Sequence, residues 1–201
     1  MIRRVAAGLC LMLLSACASA TDDGPAELGD FRLGYNIVQA NDVQTGPFSR
    51  PADGAELSAA LSRAIEARLG RYDGDGLYHI GVAIGAYVLA QPGVPLIYTP
   101  KSVLMFDINI YDNATGTRLN DAPHRIQVFE GLENIAPLIG SGIARDREAQ
   151  LANLTTQGAR AVERWLKEHP DWFEGGPGRA RVDIDRETLR RIGSDAIAAA
   201  R

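Results

Sequence analysis

The apolar positions of this chain change period several times, and each change marks an element. Phe31, Leu33, Tyr35 and Ile37 alternate with Arg32, Gly34 and Asn36. That period of two predicts a strand over 30–38 with one buried face. Gly46-Pro47 and Pro51 make 41–53 an irregular loop. Leu57, Leu61, Ile65 and Leu69 then recur every fourth residue, beside Ala60, Ala64 and Tyr72, with Glu56, Arg63, Glu66 and Arg68 mostly outside the stripe. This is an amphipathic helix. Asp53 or Gly54 caps its start, and Gly70 with Asp73-Gly74-Asp75-Gly76 ends it.

Alternation returns over 77–89. Tyr78, Ile80, Val82, Ile84, Ala86 and Val88 fall on one face, and His79, Gly81, Ala83, Gly85 and Tyr87 on the other. Gln91-Pro92-Gly93-Val94-Pro95 breaks the strand and Pro100 closes the connection. A third strand over 101–112 sends Leu104, Phe106, Ile108 and Ile110 one way and Met105, Asp107, Asn109 and Tyr111 the other. Asp112-Asn113-Ala114-Thr115-Gly116 supplies a turn, and a fourth strand near 124–130 pairs back as a hairpin. Gly131 to Gly142 reads as a loop. From Arg145 to His169 the period is helical again, with Leu151, Leu154, Gly158, Ala161, Val162, Trp165 and Leu166 as its stripe and Pro170 as its stop. Gly158 on that stripe predicts close approach to the sheet. Glu174-Gly175-Gly176-Pro177-Gly178 is a linker, and 183–200 a short helix with Leu189, Ile192 and Ile197 on one side.

The order is strand, helix, three strands, long helix, tail. Two helices on one face of a small sheet bury both stripes, which predicts a two-layer α+β fold. The sheet is a mixed four-stranded one (β-α-β-β-β-α), parallel across the strand–helix–strand start and antiparallel through the meander, with a C-terminal tail helix.

The N-terminus carries a separate message. Met1-Ile2-Arg3-Arg4 is basic, and an apolar run follows from Val5 to Leu14. The run is shorter than the roughly 20 residues that span a bilayer and suits a secretory signal. Leu14-Ser15-Ala16-Cys17 comes next and resembles the bacterial lipobox. The resemblance implies cleavage between Ala16 and Cys17, a diacylglyceryl group on the Cys17 sulfur and an acylated amino group. The alternative is an ordinary signal cut near Ala18-Ser19-Ala20. Cys10 lacks such a motif and reads as a small apolar residue. On this reading 1–16 is a signal peptide, 17–28 the lipidated N-terminus and tether, 29–173 the α+β domain, and 174–201 the linker and tail helix. The layout of 17–173 is similar to small proteobacterial lipoproteins of uncharacterised families, some of them auxiliary or assembly lipoproteins of envelope transport systems. In such systems an aspartate after the cysteine retains the protein in the inner membrane. Here that residue is Ala18, so the resemblance implies the outer membrane, facing the periplasm.

Loss of Arg3 and Arg4 with the signal takes the balance from 21 basic against 25 acidic side chains to 19 against 25, a net charge of −6 in place of −4. That sign argues against nucleic acid and against binding to anionic lipid by overall charge. Both cysteines precede residue 18, so the domain holds together without disulfides.

Candidate chemistry is sparse. The histidines are His79, His124 and His169, none at metal-ligand spacing. Gly140-Ser141-Gly142 lacks the spacing of a hydrolase nucleophile turn. Asp73-Gly74-Asp75-Gly76 opens like a calcium loop, but twelve-residue registers from Asp73 and Asp75 end at Ile84 and Ala86, without the closing glutamate. No catalytic residue, cofactor or metal is expected, and the chain reads as no enzyme. The sheet face opposite the helices carries Gly81, Ala83, Gly85, Tyr87, Met105, Asp107, Asn109 and Tyr111. It is either solvated, covered by the C-terminal segment, or a docking surface, since aromatic and Met side chains anchor interfaces. Tyr87, Met105, Asp107, Asn109 and Tyr111 are the candidate partner-binding residues, and an envelope protein is the expected partner. The competing function is a binding module for a small envelope lipid, glycan or peptide.

Overall fold

The computed structural model describes residues 27–91, 101–130, 146–175 and 180–199. The signal segment, Cys17, most of the tether, the proline-rich connection after Gln91, the loop 131–142, Gly176 to Gly178 and the side chain of Ile197 lie outside the described residues.

The fold is α+β, as the periods predict. Its elements are β1 (Arg32–Gln39), β2 (Gln44–Thr45), α1 (Gly54–Leu69), β3 (Leu77–Val88), β4 (Val103–Asp112), β5 (His124–Phe129), α2 (Arg147–Lys167), a 3-10 turn (Pro170–Phe173) and α3 (Arg186–Ala199). The sheet order is β1-β3-β4-β5. β1 runs parallel to β3, while β3, β4 and β5 form an antiparallel meander. The loop expected over 41–53 contains β2, a two-residue strand that extends the β1 edge by pairing with Ala86 and Tyr87.

Both stripes are buried. Leu57, Leu61, Ile65 and Leu69 of α1, and Leu151, Leu154, Val162 and Leu166 of α2, face Ile80, Val82, Phe106 and Ile108 of the sheet. The Asp53 carboxylate accepts from the Ala55 amide at 3.4 Å, and Asp146 accepts from Ala149 at 2.7 Å. Each satisfies a helix-end donor. A Cβ on Gly158 would lie 3.2 Å from Leu61 Cδ1 and from Phe106 Cε1, so the glycine lets α2 close on α1 and β4 together. Pro170 turns the chain and delivers Phe173 into a ring cluster with Phe31 and Tyr78.

One polar group lies between the helices. Glu163 of α2 is 4% exposed. It accepts from Arg68 Nε at 2.7 Å, Arg71 at 2.8 Å and the Tyr72 hydroxyl at 2.6 Å. Burial pushes its carboxyl up, but the bonds from Tyr72, Arg68 and Arg71 outweigh it and hold the group below its ordinary range. Arg68, placed outside the α1 stripe by sequence, reaches across to form this contact.

Two β-bulges correct the predicted faces. In β1 the register against β3 slips between Leu33 and Asn36. Leu33 therefore faces the helices, and so do Asn36 and Val38. Asn36 accepts from the Ser62 hydroxyl of α1 at 2.8 Å, and Val38 is buried. Tyr35 and Ile37 turn to the other side instead of sharing the face of Leu33. In β3 the register slips between Ile84 and Ala86, leaving Gly85 as the extra residue. Beyond it Tyr87 points into the core, 4% exposed, and Ala86 and Val88 point away. A bulge moves every later side chain to the opposite face.

The tail helix lies along β1, not across the uncovered sheet face. Arg186 donates to the carbonyls of Leu33 and Gly34 at the bulge and to Glu66. Gly193 sits against the Tyr35 Cβ, and Leu189 is buried while Ile192 is 40% exposed. Covering an unpaired strand with a helix protects an edge that would otherwise recruit another strand.

Candidate functional site: the uncovered sheet face

The face opposite α1 and α2 is covered by no helix among the described residues. The pairs Ile37 with Gly81, Gly81 with Asn109, Ala83 with Asp107 and Asp107 with Arg125 place these side chains on it. Tyr35, Ile37, His79, Asn109 and Tyr111 surround a shallow hollow of about 390 Å³ whose floor is Gly81 and Ala83. Tyr111 is 37% exposed and Phe129, on the last strand, 53%. The surface is thus aromatic at its borders and made of small residues at its centre.

Of the five residues read as partner-binding, Met105, Asp107, Asn109 and Tyr111 stand on this face. Tyr87 does not, because of the Gly85 bulge. Its hydroxyl accepts from the Ala52 amide at 2.8 Å and donates to the Ala52 carbonyl at 3.2 Å, fixing the approach to α1. Tyr35 and Ile37 take its place, brought round by the bulge in β1. The glycines at both bulges, Gly34 and Gly85, were the sequence signal that marked these reversals.

Asp107, Asn109, Arg125 and His79 on this face are already partnered. Arg125 forks onto Asp107 at 2.9 and 3.1 Å, and that bond holds the Asp107 carboxyl below its usual range. Asn109 accepts from the Asn120 amide at 3.1 Å. His79 is stacked on Tyr35 with ring centres 3.8 Å apart. Its Nδ1 accepts from the Tyr35 amide at 3.2 Å, the N–H freed from the ladder by the bulge, and its Nε2 donates to Asn113 at 3.0 Å. Burial pushes this imidazole below its usual pKa, against the Asn113 bond and Asp112. A neutral, fully bonded His79 holds the bulge in place and has no spare nitrogen for chemistry. The face can offer shape, apolar contact and a few amides to a ligand.

The other two histidines, apart in sequence, meet in space. His124 stacks on Trp165 with centres 4.4 Å apart, and His169 stacks on Trp172 at 4.0 Å. The two indoles meet edge to face at 5.3 Å. Burial lowers the pKa of His124, the nearby His169 adds to the shift, and Glu168 opposes it. The spacing of Trp165, His169 and Trp172 hinted at this cluster; the contribution of His124 depended on the fold. No group of three His, Cys, Asp or Glu side chains among the described residues could hold a metal ion, and no described helix is long and apolar enough to cross a membrane.

The described residues thus form a two-layer α+β domain with one sheet face that none of their helices covers. No family model matches the chain, and no curated protein matches it. Solved structures similar to it include a Xanthomonas campestris protein of the DUF330 family, at a TM-score of 0.41 and 12% identity over 73% of this chain and 91% of that one. A minor lipoprotein of Acinetobacter baumannii gives a TM-score of 0.29 and 10% identity over 67% and 93%. PelC of Paraburkholderia phytofirmans gives 0.31 and 11% over 64% and 88%. At these scores the likeness carries no argument about role.

Proposed function

We propose that this chain is a membrane-anchored lipoprotein of the cell envelope, lipidated at Cys17, that acts as a non-enzymatic interaction or assembly accessory. Its anchor is the acylated cysteine, and its location is the outer membrane facing the periplasm. Its partner is an envelope protein that docks on the uncovered sheet face through Tyr35, Ile37, Met105 and Tyr111. The observation that carries the reading is a face with exposed aromatic borders and a small-residue floor, left bare by the three helices among the described residues. Apolar anchors around a neutral centre suit a protein interface, where aromatic and Met side chains supply most of the binding energy. The two-chain rule for stable anchoring makes acylation sufficient to keep such a domain at a membrane.

The test is in-cell crosslinking and mild-detergent co-purification of the full-length chain, its Met105→Glu and Tyr111→Arg variants, and Cys17→Ser. One reproducible partner, reduced at least about tenfold by the face variants, supports the reading. Partners captured equally by both face variants would remove the sheet face from it. Cys17→Ser should shift the protein out of the membrane fraction, and full retention there with an unmodified N-terminus would remove the anchor.

A further inference from the structure

A second cavity, of about 780 Å³, lies between α1, the outer edge of β1 and α3. Its size is within the range of small-molecule sites. Gly34, Gly70 and Gly193 lie in its walls, and guanidinium groups edge it. In a chain with net charge −4, this cleft carries Arg63, Arg71, Arg186 and Arg190 against the single carboxylate of Glu66. The charges do not cancel. Arg71 is spent on Glu163, and Arg186 forks onto Glu66. Arg190 makes only a longer contact to the already paired Glu66, at 3.2 Å, and is 62% exposed. Arg63 is exposed and has no ion pair among the described residues. Arg63, Arg186 and Arg190, from two different elements, thus share the single carboxylate of Glu66 as counter-charge, and the cleft keeps a net positive charge.

We propose that this cleft binds the phosphate group of a small anion, free or on a lipid headgroup, through Arg63 and Arg190. The tetrahedral phosphate carries enough oxygens to meet two planar guanidinium forks at once, and arginine is the side chain suited to that recognition. Ser62 and Ser194 stand on the same walls, their hydroxyls donating to Asn36 and to the Arg190 carbonyl, so recognition rests on the guanidinium groups. Glu66 confines the site. Its fork to Arg186 leaves the anion to Arg63 and to Arg190, whose single contact to Glu66 is the longer one. The proposal concerns a different surface from the sheet face and stands or falls apart from it.

The test uses the full-length chain in mild detergent, titrated calorimetrically with inorganic phosphate, beside the double variant Arg63→Glu/Arg190→Glu. Arg118→Glu, on the β4–β5 connection outside the cleft, is compared with each single variant, Arg63→Glu and Arg190→Glu, to match the change in net charge. Flotation of the unacylated Cys17→Ser chain with phosphatidylcholine vesicles, with and without phosphatidylglycerol, separates the two sources. Both cleft positions are exposed, and unchanged thermal unfolding confirms that the variants fold. Phosphate affinity that falls at least about tenfold in the double variant and little in Arg118→Glu supports a free phosphate ligand. Vesicle binding that needs phosphatidylglycerol and is lost with the same two arginines assigns the lipid headgroup. No binding of either probe, or binding that the cleft variants leave intact, overturns the proposal.

Discussion

A methyl group at Gly34 has no room. Its Cβ would lie 2.1 Å from His79 Nδ1 and 3.0 Å from the Tyr78 carbonyl, in a strand whose bulge depends on that same imidazole. Gly34→Ala should therefore destabilise the domain by about 2–3 kcal/mol, read from denaturant unfolding. The imidazole itself adds a pH dependence. Its folded pKa lies below the ordinary histidine value of 6.5, so the folded state disfavours the extra proton. The stability this contributes is complete above about 6.5 and declines as the pH falls below it. Ring resonances of His79 should titrate below those of an exposed histidine. A third residue-scale expectation concerns Tyr87. Tyr87→Phe removes the hydroxyl bonded to both backbone groups of Ala52, at a cost of about 1–2 kcal/mol in the same unfolding measurement. A surface-anchor role would have left stability unchanged.

Between elements, the contact that matters most is Glu163. It ties α2 to the end of α1 through two arginines and a tyrosine, and neutralising this nearly buried carboxylate leaves two half-buried guanidinium groups without their counter-charge. Glu163→Gln should cost about 2–4 kcal/mol. The sign of its pH effect follows from its depressed pKa. Wild-type stability from this group is present above the ordinary carboxylate range, near 4.5, and is lost as the pH falls below it. The variant should lack that acid limb. Tyr72 acts at the other extreme, pushed up to about 12 by burial and then by Glu163. Because the folded state holds this proton, stability falls as the pH climbs from about 10 towards about 12. Denaturation midpoints across both ranges, in the wild type and in Glu163→Gln, check the two limbs together. Neither contact was legible in the sequence. Arg68 and Glu163 each look like solvated positions on an amphipathic helix, and only the crossing of α1 over α2 turns them towards one another. What was legible was the period: the four long strands, both long helices and their stripes follow from spacing alone. The bulges escaped, because one extra residue leaves local alternation intact while reversing its meaning. Tyr35, Ile37 and Tyr87 changed faces for that reason, whereas Met105, Asp107, Asn109 and Tyr111, on a strand without a bulge, did not.

At the scale of the whole molecule, the sheet, α1 and α2 share one apolar core, and the tail is held to it by charge. Arg181 reaches Asp73 and Asp75, Arg32 donates to the Val182 carbonyl, and Arg186 and Arg190 hold Glu66. Leu189 is its buried apolar contact. The Arg181 and Arg190 contacts are exposed, hence weak and screened by salt, and only Arg186 with Glu66 is half-buried, so the tail contributes little to folding and much to shielding. Deleting residues 180–201 should leave cooperative unfolding of the rest in place while uncovering β1. Concentration-dependent self-association of the truncated chain, measured by light scattering after gel filtration, is the expected outcome. A truncated chain that stays monomeric would show that the bulge alone protects the edge.

The same arginine latch divides the molecule in time. Amide protons in β3 and β4 exchange with solvent only when the whole core opens, whereas those of α3 need only a handful of guanidinium contacts to part. Two classes of exchange rate should coexist in one chain, the faster of them accelerating with added salt and the slower indifferent to it. A protease sampling this protein would then meet a body that stays shut and a C-terminus that opens on its own schedule.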